Sequence, residues 1–170
     1  MKLVELEIAR HDWSREHCAC GRSAEHVAED LRRLAGADEA SGFGTDALEG
    51  HVFVSSFIHE PAVPVVSVAL AALADDISDY ARAKFLELLL FLVDDDGQSE
   101  RAAQEGRNLA AECAAAAVPG IWLLYSEVFS GRRVDSAAYA YETLSLVERN
   151  EDRLELARAA AGDLPPWDLR

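Results

Sequence analysis

Apolar positions along the chain fall into blocks of helical period. Ala24, Val27, Ala28, Leu31, Leu34 and Ala35 recur at spacings of three and four, with Glu29, Asp30, Arg32 and Arg33 opposite them. Ser23 is placed to cap this helix, Glu25 sits in its first turn, and Gly36 closes it. A second helix is predicted from Thr45–Asp46 to about Ile58, with Val52, Phe53, Phe57 and Ile58 as its bulk. Pro61 suits the first turn of the next helix. There Val63, Val65, Val66, Val68, Leu70 and Leu73 occupy every side of the wheel, and a helix with no polar face is buried on all sides. Ser78 caps a helix reaching about Val93, with Phe85, Leu88, Leu89 and Leu92 inward. Ser99 opens a long alanine-rich helix to about Ala117, broken by Pro119–Gly120. Ile121–Phe129 is apolar almost all round, Asp135 opens a helix to about Val147, and Asn150 caps a last one to about Ala161. Residues 2–10 fit either a short strand, alternating Val4, Leu6 and Ile8 with Glu5 and Glu7, or one or two helical turns. Pro165 and Pro166 make the tail extended, with Trp167 placed to cover the last helix.

The pattern repeats. A shift of 55 residues places Ala62-Val63-Pro64 on Ala117-Val118-Pro119, and an all-apolar segment follows each. Under the same shift Leu86, Glu87, Leu89 and Leu92 meet Tyr141, Glu142, Leu144 and Val147, and the helix at 45–58 meets the one around 100–113. The predicted fold is therefore a single all-α domain over residues 1–170. It is a right-handed α-solenoid of about seven helices, with two three-helix units plus flanking helices.

Several segments carry a family likeness. Asp12-Trp13, then HCACG at 17–21 and HVAEDLRRL at 26–34, HVFVSSFIHEPAVPVV at 51–66, and AAAAVPGIWLLYSEV followed by SAAYAYETLSLV resemble small bacterial HEAT/armadillo-like repeat proteins. The resemblance covers roughly 12–148. It implies a protein-binding or scaffold role, and some such proteins look like immunity proteins beside toxin systems. Cys18 and Cys20 in the opening turn and the long repeat unit depart from the family pattern.

Composition supports the helical reading: alanine and leucine dominate, and β-branched residues are sparse outside 62–68. The formal net charge of −15 disfavours nucleic acid, which rewards cationic surfaces, and an anionic membrane. It suits solubility and a basic protein partner. No uninterrupted apolar segment at the start resembles a signal peptide. Nor does any stretch approach the roughly 18 apolar residues of a membrane span, the run Leu88–Val93 being far too short. Three cysteines without an export signal imply free thiols in the cytoplasm.

Candidate chemistry is thin. His17, Cys18, Cys20 and His26 form the sharpest metal candidate, since zinc takes four N/S ligands in a tetrahedron. A C-x-C pair is tight for one metal, however, and no second cysteine pair follows, so partly buried thiols are the preferred reading and no metal or other cofactor is assigned. His11–Asp12 lacks the further His/Asp set of a metal hydrolase, and His51, His59 and Glu60 read as satisfied residues beside the central helix. Asp94–Gly97 lacks the alternating spacing of a calcium loop. Cys113 lies on an apolar helix face, and no G-x-S-x-G elbow or glycine-rich phosphate loop is present. The expected function is therefore non-catalytic binding of a protein partner. The expected surface is the polar side of the third helix of each unit: Asp79, Arg82 and Glu87, then Asp135, Tyr139 and Glu142. Two alternatives belong to other classes: an immunity protein neutralising a basic toxin, and an enzyme, either a HEAT-like nucleic-acid glycosylase or a metal-dependent hydrolase.

Overall fold

Helix α3 (Ala62–Ala74) is enclosed by its neighbours, as its missing polar face requires. Pro64, Val65, Val66, Val68, Ala69, Leu70, Ala72 and Leu73 are all buried. The computed structural model describes residues 2–94 and 97–161. Helix α1 (Lys2–Arg10) lies on α3 through Val4 and Ile8. The Asp75 carboxylate that follows α3 accepts from the Leu3 N–H at 2.8 Å and the Val4 N–H at 3.3 Å. That anchor decides the ambiguity at 2–10 in favour of helix: the orphan amides of a first turn find a carboxylate there. Helix α2 (Glu25–Ala35) buries the predicted stripe, but Ser23 does not cap it, its hydroxyl donating instead to Glu25. Ser78 does cap the following helix α4 (Asp79–Asp94), accepting from the Ala81 N–H at 3.0 Å.

Two expected helices are not formed as drawn. Residues 45–58 form a 3₁₀ turn at Thr45–Leu48 and then an antiparallel hairpin of β1 (Phe53–Val54) and β2 (Phe57–Ile58). Gly50, at φ 78°, stops helical propagation, and the β-branched and aromatic residues beyond it favour extended backbone, with Val52 and Ile58 buried. Strand β3 (Gly97–Gln98) joins β2 in parallel. The chain is thus mostly helical, roughly as the all-α expectation has it, with a small three-stranded sheet added. The alanine-rich stretch divides into α5 (Glu100–Gln104) and α6 (Leu109–Ala117), because the chain turns at Gly106, φ 72°, and restarts on the Asn108 cap. The expected match of 45–58 with 100–113 does not hold.

After α6 a 3₁₀ turn at Val118–Gly120 leads into α7 (Ile121–Phe129), followed by α8 (Val134–Val147) and α9 (Glu151–Ala161). Helices α1, α3 and α6 pack in succession, as do α2, α4 and α8, with α3 paired to α4 and α7 to α8. Contrary to the expectation that no stretch is long enough, residues Leu109–Phe129 are long and apolar enough to cross a membrane by length and composition alone. In this fold Leu109, Cys113, Ala117, Leu124 and Val128 of that run are core residues. The tail with Trp167, and Asp95 and Asp96 of the acidic turn, lie outside the described residues.

Candidate functional site

Helices α4 and α8 lie side by side and present Glu87 and Tyr139 to a common surface. Glu87 is half-exposed. It accepts from Lys84 Nζ at 2.9 Å and from the Thr45 hydroxyl at 3.3 Å, which ties the 3₁₀ turn to α4. Tyr139 is half-buried among Glu87, Asp135, Lys84 and Glu142, and burial, reinforced by the nearby carboxylates, raises its phenol pKa. Asp135 is held by Arg133, which lowers its pKa and itself reaches Glu39 at 3.0 Å. Asp79 is exposed, with Arg132 at 3.8 Å.

Arg82 is a correction to the expected surface. Its guanidinium is buried, donating to Glu127 Oε1 at 2.8 Å, to the Leu73 carbonyl at 2.7 Å and to the Asp75 carbonyl at 3.2 Å. It closes the C-terminal end of α3, where carbonyls lack helical partners and a cation is favoured. It cannot touch a partner.

Beside Glu87 the surface opens into a cleft of about 230 Å³, which sequence reasoning did not find. Phe53 and Phe91 form its floor, their rings 4.4 Å apart, and Asp46, Glu49 and Glu87 stand at its rim. Phe53 arrives through the hairpin that replaced the expected helix, so its position required the correct local structure. A second groove of about 460 Å³ runs between α7 and α9, with exposed Trp122, Phe129 and Leu156.

On another part of the molecule, thiols and imidazoles gather. Cys18 and Cys20 sit on the turn closed by Gly21, φ 80°, where the Gly21 N–H donates to the Cys18 carbonyl at 2.9 Å. His26 projects from the first turns of α2, and His51 follows the 3₁₀ turn. The Ala19 N–H donates to the His51 carbonyl at 3.0 Å, pinning the two loops together. Cys18 Sγ lies 3.4 Å from His26 Nε2, 3.4 Å from His51 Nδ1 and 3.1 Å from Cys20 Sγ. The two imidazole nitrogens are 3.1 Å apart. The Arg22 guanidinium and the Cys18 thiol draw Cys20 down to about 6, while burial pushes Cys18 up to about 11.

Of the expected set, Cys18, Cys20 and His26 are brought together and His17 is not. His17 lines a separate polar pocket of about 320 Å³ with Glu16, Glu60, Arg101 and Arg107, where burial raises the Glu16 pKa. His51, read from sequence as a partner of His59 and Glu60, takes the fourth place instead. Its distance along the chain from Cys20 gave no local spacing signal. His11 is engaged by Ser67 at 2.8 Å and by Glu7, and Cys113 is buried, its thiol pushed up to about 12 by desolvation. No family model, curated protein or solved structure matches this chain.

Proposed function

We propose that this chain is a non-catalytic protein-binding module that takes a basic segment of its partner on the α4–α8 face. The observation that carries this reading is the acid-rimmed aromatic cleft, which shares Glu87 with the Tyr139 cluster. An arginine or lysine side chain has the complementary form. Its aliphatic stem and cation pack on aromatic rings, and its head meets Asp46, Glu49 and Glu87. Tyr139 adds a semi-rigid amphipathic anchor of the kind that dominates interface energetics. The net charge of −15 steers a basic partner toward the protein from a distance. The two rows of helices support reading the scaffold as a short right-handed α-solenoid of HEAT/armadillo-like type, with α4 and α8 as successive inner helices.

Titration calorimetry with an arginine-rich peptide tests the reading. Glu87→Lys and Glu49→Lys are each expected to weaken binding by about tenfold or more. The same charge reversal at exposed Glu155 on α9 is expected to leave it nearly unchanged. Equal losses from all three variants would reduce the effect to overall charge and overturn the reading. So would unchanged partners in a pull-down with the Glu87→Lys protein.

A further inference from the structure

We propose that Cys18, Cys20, His26 and His51 bind one zinc ion, which clamps the opening turn and the loop before β1 onto α2. Each residue offers one donor atom, and all four atoms lie within 4.8 Å of one another. A tetrahedral zinc with Zn–S near 2.3 Å and Zn–N near 2.0–2.1 Å separates its donors by roughly 3.3–3.8 Å. Five of the six donor–donor separations are 3.1 Å (Cys18–Cys20), 3.1 Å (His26–His51), 3.4 Å (Cys18 to each imidazole) and 3.9 Å (Cys20–His26), values that bracket that range, with the two sulfurs standing closer than they would around the ion. Thiol hydrogen bonds are weak, so mutual S–H contacts give little reason for four such side chains to converge. A soft cation accounts for all four at once.

The donor set selects the metal and its role. Two thiolates and two imidazoles in a tetrahedron are zinc ligands, whereas calcium and magnesium require oxygen. Four protein ligands leave no open coordination position, so the ion is structural rather than catalytic. The ligands come from three separate segments: the 18–21 turn, the start of α2, and the loop at His51. Two of these are loops, and a metal cross-link ties them to a helix. The His51 loop leads directly into β1, which carries Phe53 of the acid-rimmed cleft. Zinc thereby holds the segment that delivers one wall of that cleft, although the metal site stands or falls independently of what the cleft binds.

Elemental analysis of purified protein provides the test, and about one zinc per chain is expected. Cobalt loading is expected to give visible absorption of a tetrahedral site together with a thiolate-to-cobalt charge-transfer band. After dialysis against a competing chelator, Cys20→Ser and His51→Ala are expected to keep less than about one tenth of the wild-type zinc, while His17→Ala keeps all of it. If either ligand variant fails to fold, wild-type protein stripped of metal and titrated with zinc supplies the answer, because zinc and not magnesium should raise its thermal midpoint. Folded wild type that takes up no zinc and gives no thiolate band with cobalt would overturn the proposal. So would loss of zinc from His17→Ala with retention by His51→Ala.

Discussion

Arg82 shows how one side chain changes role between a helical wheel and a packed structure. Its pair with Glu127 is buried, and its remaining donors close the end of α3. Removing Arg82 leaves the buried Glu127 carboxylate only Arg132, at 3.0 Å, and takes a donor from two carbonyls at the end of α3, so Arg82→Ala is expected to cost about 3 kcal/mol in urea denaturation, the low end for breaking a buried pair. Asp79→Ala, at an exposed and loosely paired site, is expected to fall within about 0.5 kcal/mol of wild type. The burial of Arg82 was legible, since it shares a helical face with Phe85, Leu86 and Leu89, all buried. Charge was allowed to outweigh position. His51 was not legible in the same way, because only the tertiary meeting of two loops places it beside Cys18. Glu148 gives a residue-scale pH prediction. Hydrogen bonds from Arg153 at 2.7 and 2.9 Å hold its pKa down from 4.5 to about 2. A carboxylate depressed in the folded state stabilises fully above its unfolded pKa, and that contribution fades as pH falls toward the folded value. Thermal stability of the wild type is therefore expected to drop more steeply from pH 5 to pH 2 than that of Glu148→Gln. Parallel curves would contradict this.

Among the elements, the junction between α6 and α7 packs closely against α3. A Cβ on Gly120 would stand 2.2 Å from Leu70 Cδ2 of α3. Gly120→Ala must push Leu70 or separate the helices, and an overpacking cost of about 1–3 kcal/mol is expected in chemical denaturation. An unchanged midpoint would show that Leu70 has a free rotamer to adopt. The Ala-Val-Pro match at 62–64 and 117–119 does not fall on equivalent structure, since the first copy opens α3 and the second runs from the last residue of α6 into the 3₁₀ turn. Helix periodicity identified α2, α3, α4, α7 and α8 well, since each has a continuous apolar surface to bury, and α9 through its Asn150 cap although it buries only Ala157 and Ala161. It failed at 45–58, where Phe53, Phe57 and Ile58 supply bulk compatible with either period and only Gly50 signalled the break. It also ran α5 and α6 together, because alanine favours helix at every position and Gly106 was outweighed.

At the scale of the whole molecule, the two rows of helices set α4 beside α8, and on the other side of Glu87 the 3₁₀ turn and β1 close a cleft that holds Asp46, Glu49, Phe53 and Phe91. The general location of this face was legible from the polar positions of those two helices, and Glu87, Asp135, Tyr139 and Glu142 do meet on it. The cleft was not, because its floor joins a hairpin residue to a helix residue across the fold. Backbone amide shifts recorded while an arginine-rich peptide is titrated into isotopically labelled protein test the proposed function most directly. The expected result is a saturable set of shifts concentrated at Thr45, Glu49, Phe53, Glu87, Phe91 and Tyr139. Shifts spread evenly over the acidic surface, or centred on α9, would contradict it.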